Sequence, residues 1–237
     1  MSKGLFVTGT GTDVGKTYVT ALLLKKLRES GENAAYYKAA MSGNDRGPDG
    51  KPLPGDALYA ARVSGIAQST DSMCPYVYET ACSPHLASRL EGNPVERAVV
   101  RRGFEALAER YDWITVEGSG GILCPLREDG EKLTLEDVLR ELSLPSVIVA
   151  PAGLGAVNSV GLTAFYMAAK GLPVKGVIFN DFQPGDPICE DNVRMCQALT
   201  GLPTLAKVEN GATGIAMNVE QVQALYEAIA PRKEERR

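Results

Sequence analysis

Short apolar runs alternate along the chain with longer stretches whose apolar positions recur every three or four residues, the mark of βαβ units around a parallel sheet. The runs predict strands at residues 4–8, 34–38, 113–117, 146–150, 174–180 and 204–207, with helices between them. A helix over 16–29 would carry Leu22, Leu23 and Leu27 on its core stripe, and one over 95–110 would carry Val95, Val99 and Leu107. Thr134 and Asp137 have the spacing of a capping box at the start of a short helix. Asn218 caps a predicted C-terminal helix with Val219, Val222, Leu225 and Ile229 on one face. Residues 41–55 hold Gly43, Gly47, Pro48, Gly50, Pro52, Pro54 and Gly55, so they neither continue a helix nor sit centrally in a sheet. The expected architecture is a single-domain α/β fold over residues 1–230, a mainly parallel sheet flanked by helices on both faces, followed by a charged tail at 231–237.

Composition narrows the chemistry. The chain has 237 residues, 44% of them hydrophobic, which suits one sizeable core without a linker or repeat. No segment approaches the roughly 20 continuous apolar residues of a membrane span. Its N-terminus, Met1 to Gly4, runs straight into an apolar strand with no signal-peptide pattern, so a cytoplasmic location is expected. A net charge of −4 argues against a general nucleic-acid binder. The cysteines are Cys74, Cys82, Cys124, Cys189 and Cys196; an odd number without a CxxC pair suits buried free thiols better than a disulfide framework or zinc site. With His85 the sole histidine, hydrolase triads and multi-histidine metal sites are disfavoured, which leaves Lys, Asp, Glu, hydroxyls and backbone dipoles to carry any catalysis.

The strongest chemical signal follows the first strand: Gly9-Thr10-Gly11-Thr12-Asp13-Val14-Gly15-Lys16-Thr17, then a helix. Polyphosphate binding needs close backbone approach, inward N–H groups, a cation and a hydroxyl for Mg²⁺; Gly11 and Gly15, Lys16 and Thr17 supply them. The usual phosphate-loop pattern has its first glycine where this chain has Thr10, and Gly9 lies one position early. Glu117 ends a strand and precedes Gly118-Ser119-Gly120-Gly121, which suits a metal ligand or a strand-end surface carboxylate. Asp56 is either a second metal carboxylate or a helix N-cap. Lys38, at the end of the second strand, is either a solvated terminus or a second cation aimed at the reacting centre.

These residues resemble the dethiobiotin synthetases, ATP-dependent carboxylases of the biotin pathway. Their phosphate loop, Gly-Thr-x-Thr-x-Val-Gly-Lys-Thr, is matched from Gly9 to Thr17, the early glycine included. Lys38 with Ser42-Gly43, Asp56, Ser83-Pro84-His85, Val116-Glu117-Gly118-x-Gly-Gly, Gly155-x-Val157-Asn158 and Asn180-Asp181 resemble further family segments in the same order. The chain departs where Ala39 replaces the proline after the lysine, and where Ala206-Lys207-Val208-Glu209-Asn210 lacks the proline of the family's base-binding segment.

The resemblance implies that 7,8-diaminononanoate and CO2 form a carbamate, that MgATP phosphorylates it, and that a urea ring closes as phosphate leaves. Lys16, Lys38 and Thr12 would be catalytic, and Thr17, Asp56 and Glu117 would hold Mg²⁺. Nucleotide contacts would come from Asp13, Val14, Gly15 and Tyr18 beside Lys16 and Thr17, from Gly118, Ser119 and Gly120, and on the base side from Asn180, Asp181, Lys207, Val208 and Glu209. Thr12, Lys38 and Ser42 would position the diamine, with Asn158 reaching its acid tail from the second subunit of a homodimer. On its own residues Asn158 is equally a helix cap, Asn180 equally a turn former, and His85 structural. Rival readings are a related P-loop amidoligase, which normally needs an ammonia source that this length has no room for, and a MinD-like partner-regulated ATPase, which typically carries an extra lysine early in the loop.

Overall fold

The computed structural model describes residues 1–229; the predicted tail at 231–237 lies outside them. In chain order the elements are β1 (Lys3–Gly9), α1 (Lys16–Glu29), β2 (Ala34–Lys38), β3 (Ala40–Met41), α2 (Gly55–Ser64), β4 (Tyr76–Val77), α3 (Pro84–Leu90), α4 (Arg97–Ala108) and β5 (Trp113–Glu117). They continue with β6 (Pro125–Arg127), β7 (Leu133–Thr134), α5 (Leu135–Leu142), β8 (Ser146–Pro151), α6 (Ala156–Ala169), β9 (Val174–Asn180), α7 (Pro187–Thr200), β10 (Thr204–Lys207), α8 (Val219–Gln223) and β11 (Glu227–Ala228). The main sheet runs β10-β9-β8-β1-β5-β2, all parallel, and β11 adds an antiparallel pairing at the start of β1. All six predicted strands form: β1, β2, β5, β8 and most of β9 read as nearly continuous apolar runs buried in the sheet, while the partly exposed edge strand β10 is held by its pairing with β9.

Strand alternation divides the core into two layers. Leu5, Val7, Tyr36, Trp113, Val147 and Ile178 face α1, α2 and α8. Phe6, Tyr37, Ile114, Val116, Ile148 and Phe179 face α4 to α7. The α1 helix spans the predicted residues and buries a wide stripe that includes Leu22, Leu23, Leu24 and Leu27. In α4 the buried stripe is Val100, Phe104 and Leu107, and the helix is two residues shorter at each end than predicted. The capping box of α5 forms: Thr134 accepts from the Asp137 N–H, and the Asp137 carboxylate accepts from the Thr134 N–H.

Two predictions need correction. Asn218 does cap a helix, but α8 ends at Gln223; Leu225 and Ile229 lie beyond it, where the chain turns to lay β11 beside β1. Residues 41–55 are not all loop, since Met41 lies in β3, Gly55 opens α2, and a bridge between Arg46 and Pro52 closes the tip. Neighbours β8 and β5 receive the chain on opposite sides of β1, so the order reverses there and a crevice opens at the carboxyl ends of the strands.

Candidate active site

The crevice is floored by the loop from Gly9 to Thr17. Asp13 (φ 57°) and Gly15 (φ 91°) take left-handed backbone conformations, turning the chain into α1 with its free N–H groups toward the crevice. A Cβ on Gly15 would lie 2.1 Å from Asn180 Nδ2. One on Gly9 would lie 2.7 Å from Val14 Cγ2 and 3.1 Å from the Lys16 stem, so the early glycine is required by packing within the loop itself. Lys16 is buried, and its Nζ donates to the Gly11 carbonyl at 2.7 Å. Burial first, and then the nearby Lys38 ammonium, lower its pKa against the opposing pull of Glu117 and Asp56.

Register builds the charged centre. Lys38 and Glu117 are direct partners across β2 and β5, so their side chains leave the same face side by side. Lys38 Nζ donates to Glu117 Oε1 at 2.7 Å and to Asp56 Oδ2 at 2.6 Å. Burial works against the charge on Lys38, but the two carboxylates outweigh it and raise the pKa, so the ammonium persists. Burial likewise opposes ionisation of Asp56, and Lys38 overcomes it, holding this carboxyl below its usual value. Thr17 Oγ1 donates to Glu117 Oε1 at 2.7 Å and lies 3.2 Å from Asp56 Oδ1. Asp56 is the second residue of α2 and does not cap it.

Around this centre lies an open cleft of about 990 Å³. Thr12, Ser42, Ser83 and Ser119 line it with hydroxyls, and Gly120 (φ 65°) brings backbone close to Thr12. Ser42 donates to the Cys82 carbonyl and Ser119 to that of Ala40, which tie the strand-end turns together. Gly118 has no room for a side chain, because Leu135 of α5 presses against it. Met41, Tyr59, Cys82 and Cys124 also line the cleft and were not read from sequence. The free thiols are therefore of two kinds: Cys74, Cys189 and Cys196 are buried as expected, while Cys82 and Cys124 are half-buried at the cleft wall. His85 stands 3.0 Å from the Ser83 hydroxyl in the first turn of α3, away from the cleft lining.

On the far side of the phosphate loop, Asn180 Nδ2 lies 3.4 Å from the Val14 carbonyl, while its buried Oδ1 has no hydrogen-bond partner. Asp181 (φ 52°) turns the chain beside it. Lys207 pairs with Glu190 and lies over the Phe182 ring, Val208 is buried in the core and exchanges backbone hydrogen bonds with Phe179 and Phe182, and Glu209 is exposed. Tyr18 donates to the Ala212 carbonyl, fastening α1 to the segment after β10. Asn158 is exposed as the third residue of α6; it is neither the cap nor part of this chain's cleft.

The donor set suits Mg²⁺. Among the described residues no group of three or more His, Cys, Asp or Glu is placed to hold a metal. Two carboxylates and a hydroxyl are the short oxygen set used where substrate phosphates and waters complete an octahedron. The unpaired Asn180 oxygen, beside the phosphate loop, is a ready acceptor for an exocyclic amino group of a base.

Comparison with known proteins gives three results. A family model described as an AAA domain matches residues 3–216. An ATP-dependent dethiobiotin synthetase of Brachyspira hyodysenteriae is 41% identical over 96% of this chain and 100% of its own, and one of Clostridium botulinum is 40% identical over 97% and 100%. Among solved structures, the MinC:MinD cell division complex of Aquifex aeolicus matches at 13% identity with a TM-score of 0.54, covering 94% of this chain and 86% of that one, a likeness of fold alone.

Proposed function

Since the chain belongs to the ATP-dependent dethiobiotin synthetases, we propose a division of labour among its residues for joining 7,8-diaminononanoate and CO2 into dethiobiotin at the expense of ATP. The observation that carries it is the cluster of Lys38, Thr17, Asp56 and Glu117 over the phosphate loop. A carbamate anion and a triphosphate repel each other, so their approach needs concentrated positive charge and fixed positions. Lys16 swings from the Gly11 carbonyl to the outer phosphates, and Lys38 bridges carbamate and phosphoryl group. Thr17, Asp56 and Glu117 hold Mg²⁺, which offsets phosphate charge when bound. N–H groups of the loop from Asp13 to Tyr18 cradle the phosphates, and the turn at Gly118, Ser119 and Gly120 closes over them. Thr12 and Ser42 orient the diamine, with Asp13 beside one of its nitrogens.

Asn180 takes the base through its unpaired oxygen, with Asp181, Lys207, Val208 and Glu209 forming the wall around it. The enzyme works as a cytoplasmic homodimer. Leu154, Leu162 and Phe165 leave an apolar stripe open on and before α6, continued by Ile188, Met195 and Leu199 of α7. Asn158 lies one turn ahead of Leu162 on the same stripe, so pairing through it carries Asn158 to the partner's cleft and the diamine's carboxylate. The test is ATP turnover by the purified enzyme with and without the diamine and bicarbonate. Phosphate release that depends on both, with stoichiometric dethiobiotin, is expected; hydrolysis indifferent to the diamine would overturn the reading.

A further inference from the structure

Glu117 is 1% exposed, and its two oxygens have different partners. Oε1 receives both Lys38 and Thr17, each at 2.7 Å, on the side of the phosphate loop. Oε2 accepts from the Tyr36 hydroxyl at 3.0 Å. Alternation along β2 puts Tyr36 on the same face as Lys38, opposite Thr115, two residues before Glu117 on β5. The phenol is itself fully buried. A glutamate's terminal torsion is soft and nearly two-fold, so donors on one oxygen alone leave the carboxylate plane poorly fixed. A donor on each oxygen fixes it.

We propose that Tyr36 is a positioning residue: its O–H holds the Glu117 carboxylate so that Oε1 is the oxygen offered to the divalent cation. This rests on the reading of Glu117 as a metal ligand. The neighbouring Tyr37 supplies a matched control, because it is equally buried but projects to the opposite face, where its hydroxyl donates to the Val100 carbonyl at 2.6 Å.

The experiment measures Mn²⁺ binding to the ADP complex by electron paramagnetic resonance, with the Mg²⁺ activation constant and the KM for the diamine alongside, in Tyr36→Phe, Tyr37→Phe and Glu117→Gln. Each tyrosine variant removes one oxygen and keeps the ring, so packing survives. Tyr36→Phe is expected to weaken Mn²⁺ binding and raise the Mg²⁺ requirement by about 10-fold, the usual size of an outer-partner loss, with the diamine KM unchanged. Tyr37→Phe is expected to lose stability alone. If Glu117→Gln weakens Mn²⁺ binding while Tyr36→Phe behaves like Tyr37→Phe, the positioning role is overturned and the metal site stands. If Glu117→Gln leaves Mn²⁺ binding intact, the metal-ligand reading falls and takes the proposal with it.

Discussion

Lys38 holds together, at the scale of single residues, what would otherwise repel. Its ammonium touches Asp56 and Glu117 at once, and both it and Glu117 are nearly free of solvent. Truncating it to Lys38→Met leaves two facing carboxylates without the ammonium that bonds to both, with only the Lys16 charge nearby, and breaking the buried Lys38–Glu117 pair this way costs about 3 kcal/mol or more. Turnover is expected to vanish, and urea unfolding without metal should show the lost stability, with Mg²⁺ and ADP recovering more in the variant than in the wild type. A variant as stable as the parent without metal would show that the cluster is not coupled as the distances indicate. The sequence marked Lys38, Asp56 and Glu117 as separate candidates, each with a bland alternative. It could not pair them, since Asp56 lies 18 residues beyond Lys38 and Glu117 another 61, and only folding sets their separation. Tyr36 escaped notice because a tyrosine in an apolar strand looks like core, which its ring is.

At the scale of elements, register and caps decide the site. Equal lengths of β2 and β5 bring Lys38 and Glu117 level at their ends. The capping box at Thr134 starts α5 where Leu135 leans on Gly118 and donates its N–H to the Cys124 carbonyl, pinning the turn that follows Glu117. Thr134→Ala removes one side of that box, and thermal and urea unfolding should show a loss of about 1 kcal/mol. An unchanged midpoint would mean that the box adds nothing to stability. The cap and the strands were legible because their signals are local: turn residues, a three-residue spacing, a run of apolar positions. Residues after Gln223 misled for the same reason, because Val219, Val222, Leu225 and Ile229 keep helical spacing while the pairing of β11 with β1 draws the chain out of the helix.

For the whole molecule, the crevice stands where strand order reverses at β1, and the loops after β1, β2 and β5 converge there. The open apolar stripe of α6 and α7 belongs to the same scale, because in the proposed dimer it is the surface that a second copy would cover. Phe165→Glu places a charge on it, and light scattering should show a shift from dimer to monomer together with a raised KM for the diamine and an unchanged nucleotide affinity. A fully active monomer would refute the shared site at Asn158. The sequence by itself determined the layered α/β class, the six parallel strands and the identity of the phosphate loop, since these rest on periodicity and on contacts between residues near in the chain. Tertiary structure alone decided which charges meet, that Gly9 is needed by Val14 and Lys16, that Asn180 sets its amide nitrogen against Gly15 and keeps its oxygen unpaired, and that Tyr36 donates to Glu117. These depend on distances between segments, and distance between segments is fixed by packing the sheet, a property no stretch of sequence carries alone.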